Sequence, residues 1–143
     1  MNAKKWTLLI LLLVSSAIRA KVTYIWLPDP VLIFLLPLIL HIADDYVGPL
    51  ALTAGILRDG LYLDIPWVSP FIFTLFGLIF IVYRNFVNIA LVLPKIILFT
   101  VSIVVYYAVY LYVNGLALSL LYFRAILLTV IFSVLVELWV QKR

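Results

Sequence analysis

A chain of 143 residues that is 68% hydrophobic and 11% charged, with a mean hydropathy of +1.30, cannot hide its apolar side chains inside a water-soluble domain. Lipid is the expected solvent, so the chain reads as an all-α polytopic membrane protein with a single transmembrane domain over residues 1–143. The absence of cysteine excludes disulfides, thiol chemistry and iron–sulfur ligation, and the net charge of +4 is spread over helix ends, which points to membrane topology and away from nucleic acid.

Hydropathy predicts about six spans, near residues 6–26, 30–43, 46–59, 66–84, 90–113 and 116–140. The apolar part of the first, Trp6 to Ile18, covers about 20 Å, short of a hydrocarbon core of about 30 Å. Lys4-Lys5 ahead of it and Ser15-Ser16-Ala17 within it resemble a secretory signal, but an uncleaved anchor is the expectation. The second span opens at Pro28-Asp29-Pro30, where Asp29 can cap a helix whose first position is Pro30. Pro37 should distort it.

The polar turn "HIADDYVGP" leads to a short third span from Tyr46. Ser69-Pro70 repeats the cap-and-proline signal for the fourth, and "YRNFVN" is the turn after it. The fifth is expected to start at Pro94-Lys95 and to stop at Asn114-Gly115, with the sixth beginning at about Leu116.

An inside N-terminus places Lys4, Lys5, Arg84, Lys95, Lys142 and Arg143 on inner segments, against Arg19, Lys21 and Arg58 on outer ones. That asymmetry favours both ends in the cytoplasm. Trp6 and Trp139 then fall at one interface, and Trp26, Trp67, Tyr110 and Tyr112 at the other, as two aromatic belts should.

The stretch "GILRDGLYLDIP" concentrates Arg58, Asp59 and Asp64 in an otherwise apolar chain. About twelve residues of rise from Tyr46 bring Arg58 only part-way through a bilayer, where an ionisable group needs a partner. An interfacial turn is the alternative, since Asp59-Gly60 is a turn dipeptide. Adjacent helical residues point about 100° apart, so Arg58 and Asp59 are expected to take different partners. Asp59 would be held by a cation or by helix N-terminal amides, within this chain or from a partner, and Arg58 would point a different way, with a side chain long enough to snorkel to water near an interface. Gly55 lies one turn before Asp59, where it would let a neighbouring backbone approach closely or simply be tolerated.

His41, Asp44 and Asp45 have a spacing that would suit a metal on one helical face, although a solvated helix end is the plainer expectation. Tyr106, Tyr107, Tyr110 and Tyr112 could line a cavity or belong to the outer belt and its packing. Arg124 is deep enough to need an acidic partner, with Asp59 and Asp64 the nearest by topology, and Glu137 is expected at the interface. No metalloprotease, nucleophile-elbow or phosphate-loop motif occurs, so neither catalysis nor a metal or other cofactor is expected.

Pro28-Asp29 before an apolar helix, followed by "GPLALTAGILRDGLYLDIPWVSPFIF", resembles the rod shape-determining protein MreD family over roughly residues 25–85. Gly55 and Asp59 match that family's Gly-x-x-x-Asp, and Pro28 and Asp29 its earlier Pro-Asp. Arg58, where the family is usually apolar, and Asp64-Ile-Pro, in place of a Gly/Ser-rich turn, depart from it. The resemblance implies a six-helix protein of the bacterial inner membrane, similar in fold to the substrate-binding subunits of energy-coupling-factor transporters. It would bind MreC and help couple MreB filaments to RodA and the elongation penicillin-binding transpeptidase, with membrane lipid around it. A vitamin-capturing transporter subunit is the rival expectation. A capture subunit needs an outer cavity with convergent polar groups.

Overall fold

A computed structural model of the chain describes residues 3–19, 28–59 and 68–142. Among these residues the fold is all-α, with six helices: α1 (Ala3–Arg19), α2 (Pro30–His41), α3 (Asp44–Asp59), α4 (Val68–Phe86), α5 (Val92–Val113) and α6 (Leu120–Gln141). They fall where hydropathy predicts spans, but their lengths differ in kind. Three of them, α4, α5 and α6, are long and apolar enough to cross a membrane. Twelve residues give α2 about 18 Å, well under the thickness of a hydrocarbon core.

Local chemistry explains most of the helix ends. Asp29 caps α2 as expected, its Oδ1 accepting from Val31 N at 3.0 Å with Pro30 in the first helical turn. Asp44 and Asp45 occupy the first turn of α3, where negative charge complements the helix dipole. Asn114 Nδ2 closes the end of α5 by donating to Tyr110 O at 2.7 Å, and Gly115 then turns the chain at φ 63°. Two boundaries differ from the sequence expectation. Helix α4 already runs from Val68, so Ser69 lies inside it and is not its cap. Helix α6 starts at Leu120, beyond the expected Leu116.

The core forms around α2. Its residues from Val31 to Leu40 are buried except Phe34, which is half-buried, because a helix apolar on every side must be wrapped by others. Helices α1 and α6 pack on α2, α5 packs on α6, and α3 lies along α4. The α3–α4 contact uses small residues: Ala51, Ala54 and Gly55 are buried in α3, and Gly77 in α4. Phe73, Phe80 and Phe99 fill the centre, Phe80 and Phe99 stacking at 6.3 Å between centroids.

The outer faces are apolar too. Phe71, Leu78 and Val82 of α4, Ile97 and Val101 of α5, and Phe123 and Leu127 of α6 are all exposed. Such a surface suits lipid and would aggregate in water.

Candidate functional site

Two helices begin against one polar cluster. Thr129 lies nine residues into α6, about 14 Å along an axis of about 33 Å. Its Oγ1 accepts from Asp29 N at 3.1 Å and donates to Ala125 O at 2.7 Å. The N-terminus of α2 is thereby fixed part-way along α6. Backbone amides that end against the middle of an apolar helix need acceptors, because hydrocarbon side chains supply none.

Asp59, the last residue of α3, does the same for α4. Its Oδ2 accepts from Ser69 N at 2.7 Å, and its Oδ1 accepts from Ser69 Oγ at 2.8 Å. This matches the expectation that helix N-terminal amides would hold Asp59. The serine's single hydroxyl proton is used on Asp59, so Tyr106 Oη, 3.1 Å from Ser69 Oγ, is the donor in that contact.

Arg58 ties the two capping carboxylates together. Nη2 donates to Asp29 Oδ2 at 2.8 Å, and Nη1 donates to Ser69 Oγ at 3.1 Å and to Asp59 Oδ1 at 3.3 Å. Its guanidinium carbon lies 4.9 Å from the Tyr106 ring centroid and 5.6 Å from that of Tyr110. Asp29, Asp59, Ser69 and Tyr106 are all within 2% of complete burial, and Arg58 is 8% exposed. The expectation that Arg58 would point a different way from Asp59 is therefore corrected. Two carboxylates and two aromatic faces give it a better environment inside than lipid gives it outside. It also pairs with its neighbour Asp59, because a long guanidinium can fold back where a short side chain cannot.

Gly55 makes the geometry possible. A Cβ placed on it would sit 2.3 Å from Pro70 Cα and 2.8 Å from Ser69 C. The α4 backbone thus passes directly over Gly55, and this close approach brings Ser69 within reach of Asp59 one turn further on.

A second cluster lies at the opposite end of the bundle. Glu137 of α6 is 2% exposed and takes Lys95 Nζ of α5 at 2.6 Å on Oε1. His41 Nε2, at the end of α2, lies 2.9 and 3.0 Å from its two oxygens. An ionised carboxylate only accepts, so this nitrogen carries a proton. Nearby cations bind helix-terminal carbonyls: Lys5 Nζ reaches His41 O at 2.5 Å, and Arg84 Nη1 reaches Ile42 O at 2.7 Å while also pairing with Asp44. Glu137, expected at the interface, lies one turn from the end of α6 and is enclosed there by α5 and the end of α2. The clue available in the sequence was an acidic residue and a histidine in two apolar helices, with Lys95 opening a third.

The cluster at Arg58 brings together Asp29, Gly55, Arg58, Asp59, Ser69 and Tyr106 of the residues singled out in the sequence, and adds Thr129. Asp64 lies outside the described residues. Arg124 is exposed on α6, and no hydrogen bond or ion pair holds it among the described residues, while Asp59 is taken by Ser69 and Arg58. Tyr106 and Tyr107 are buried, whereas Tyr112 is exposed. His41 closes α2 while Asp44 and Asp45 open α3, and no metal-binding group of three such residues occurs among the described residues. No family model, curated protein or solved structure matches the chain.

Proposed function

We propose that the chain is a non-catalytic adaptor of the MreD type in the bacterial inner membrane. All six helices lie in the bilayer in the manner of an energy-coupling-factor substrate-binding subunit, with both termini cytoplasmic. Its role is to hold a partner with its own transmembrane helix, MreC, and through it to help couple MreB filaments to RodA and the elongation transpeptidase. The observation that carries this reading is the convergence of the two motifs on which the resemblance rests. Asp29 of the Pro-Asp pair and Asp59 of the Gly-x-x-x-Asp each cap a helix, and Arg58 bonds to both. Residues far apart in the chain thus form one joint between helices.

The chemistry of that joint also favours an adaptor over a capture subunit. A ligand site needs convergent polar groups left free to bind, but here Asp29, Asp59, Ser69 and both terminal nitrogens of Arg58 bond to one another. Arg58 Nε alone of the guanidinium nitrogens has no hydrogen-bond partner among the described residues. What such a joint supplies is a fixed arrangement of α2, α3 and α4 against α5 and α6, so that the apolar outer faces keep one shape for a partner helix to meet. Arg58, absent from the usual family pattern, fits this role because it adds a bond between the two caps.

Co-expression with MreC and purification in mild detergent tests the proposal. The expected result is retention of MreC through affinity and size-exclusion steps. A folded, monodisperse chain that retains no MreC, or one that instead captures a vitamin and an energy-coupling module, would overturn it.

A further inference from the structure

The sides of α1 and α6 that flank α2 leave a groove whose two ends differ in chemistry. One part, about 360 Å³, is apolar and runs between Leu11 of α1, Phe34 of α2 and Phe132 and Leu135 of α6. A second hollow of about 450 Å³ shares Leu135 and Trp139 with it and opens at Lys142. The two therefore adjoin each other along the last turns of α6. Lys4 crosses from α1 to this end, donating to Trp139 O at 3.1 Å and to Lys142 O, with its ammonium 5.6 Å from the Trp139 ring centroid. Lys142 is exposed and itself lines the mouth.

Charge at this mouth is one-sided among the described residues. Glu137, the acidic residue of α6, is enclosed by His41 and Lys95 and is 2% exposed. Asp44 pairs with Arg84, and both it and Asp45 open α3, which packs on α1, α2 and α4. Two ammonium groups thus sit above a slot lined by aliphatic and aromatic side chains. A neutral acyl chain would fill the slot but leave the Lys142 ammonium unanswered, and Lys4, which gives two of its three protons to carbonyls at the end of α6, has one left to donate. A phosphodiester carrying acyl chains fills the slot, pairs with Lys142 and accepts the remaining proton of Lys4.

We propose that this groove binds an anionic phospholipid, with its phosphate between Lys4 and Lys142 and one acyl chain running past Leu135 to Phe34 and Phe132. Basic pockets between helices at the positive end of a membrane protein are suited to such headgroups, and each lysine near the surface strengthens the attraction about fivefold. The site is independent of any partner protein and of the family to which the chain is compared. Trp139 against the Lys4 ammonium marks the level at which headgroup and hydrocarbon meet.

The test uses the full chain, purified in mild detergent and given dioleoyl phosphatidylglycerol or dioleoyl phosphatidylcholine in competition, with bound lipid read by native mass spectrometry. Phosphatidylglycerol should be retained in clear preference. Lys142→Gln, at an exposed position, should lower that preference about fivefold, and Leu135→Trp, which fills the slot, should reduce retention of either lipid. Arg124→Gln, an exposed cation elsewhere on α6, should leave the preference unchanged. Equal retention of the two lipids by the wild-type chain would overturn the proposal. So would a preference unaffected by both Lys142→Gln and Leu135→Trp, or a partner protein cross-linking to position 135 in membranes in place of lipid.

Discussion

Arg58 Nη2 lies 2.8 Å from Asp29 Oδ2, so a guanidinium in the last turn of α3 is bonded to the carboxylate that caps α2. The same carboxylate turns its other oxygen to Val31 N. Asp29 thus serves two roles, as a cap and as a counter-ion, and substitutions can separate them. Asp29→Asn keeps a capping oxygen and loses the charge, whereas Asp29→Ala loses both. Thermal unfolding in detergent should place Asp29→Ala about 1 kcal/mol below Asp29→Asn, the usual value of a cap. Equal destabilisation by the two would remove capping from the account.

Arg58 is expected to be the most sensitive residue of the cluster. Arg58→Met leaves Asp29 and Asp59 buried without their shared cation, a loss of about 3–5 kcal/mol for a broken buried pair. Asp59→Asn keeps an acceptor for Ser69 N and should cost less. Membrane levels and thermal midpoints of the two variants check this order, and a wild-type-like Arg58→Met would show that the guanidinium is dispensable.

The glycines form a graded series. A Cβ at Gly55 meets Pro70 backbone at 2.3 Å, one at Gly77 crowds the Val47 Cγ1 methyl at 2.8 Å with its next neighbours at an ordinary 3.7 Å, and one at Gly48 meets nothing within 4 Å. Gly55→Ala should therefore destabilise by about 1–3 kcal/mol, as overpacking does. Gly77→Ala should do so less, because a side-chain methyl can move. Gly48→Ala should be neutral or stabilising, since alanine is the better helix former by about 1 kcal/mol. Unfolding midpoints that fail to follow this order would contradict the close passage of α4 over α3.

How far this architecture could be read in advance depends on the range of the interaction. Asp29 capping α2 and Gly115 ending α5 are local, set by residues one to four positions away, and the sequence states them openly. Gly55 and Asp59 were legible as a surface for a close neighbour, although not which neighbour. The direction of Arg58 was not, because it depends on a carboxylate 29 residues earlier and on two tyrosine rings of α5. The Lys95–Glu137 and His41–Glu137 contacts span 42 and 96 residues, and no periodicity in one helix announces a partner in another. Ser69 was misplaced by one step: the sequence signal for a cap was real, but the capping oxygen comes from Asp59.

The second cluster makes its own prediction. Glu137→Gln leaves Lys95, 3% exposed, without a carboxylate. It should destabilise by several kcal/mol, on the order of a broken buried pair. Adding Lys95→Met to Glu137→Gln should recover part of that loss, because the stranded charge is gone. Thermal unfolding of the single and double variants measures the recovery, and a double variant no more stable than Glu137→Gln would contradict the pairing.

Topology can be checked separately from stability. Reporter fusions after Gln141 and at Asn114 are expected to report opposite sides of the membrane, with the former cytoplasmic. One side for both positions would break the proposed threading of α6.

The central claim is that the two aspartate motifs meet through Arg58. A double-mutant cycle on Asp29→Asn and Arg58→Met, read as unfolding free energy of the full chain in detergent, tests it most directly. The account predicts a coupling of about 2–3 kcal/mol, with the double variant less damaged than the sum of the singles. Additivity of the two substitutions within about 0.5 kcal/mol would contradict it.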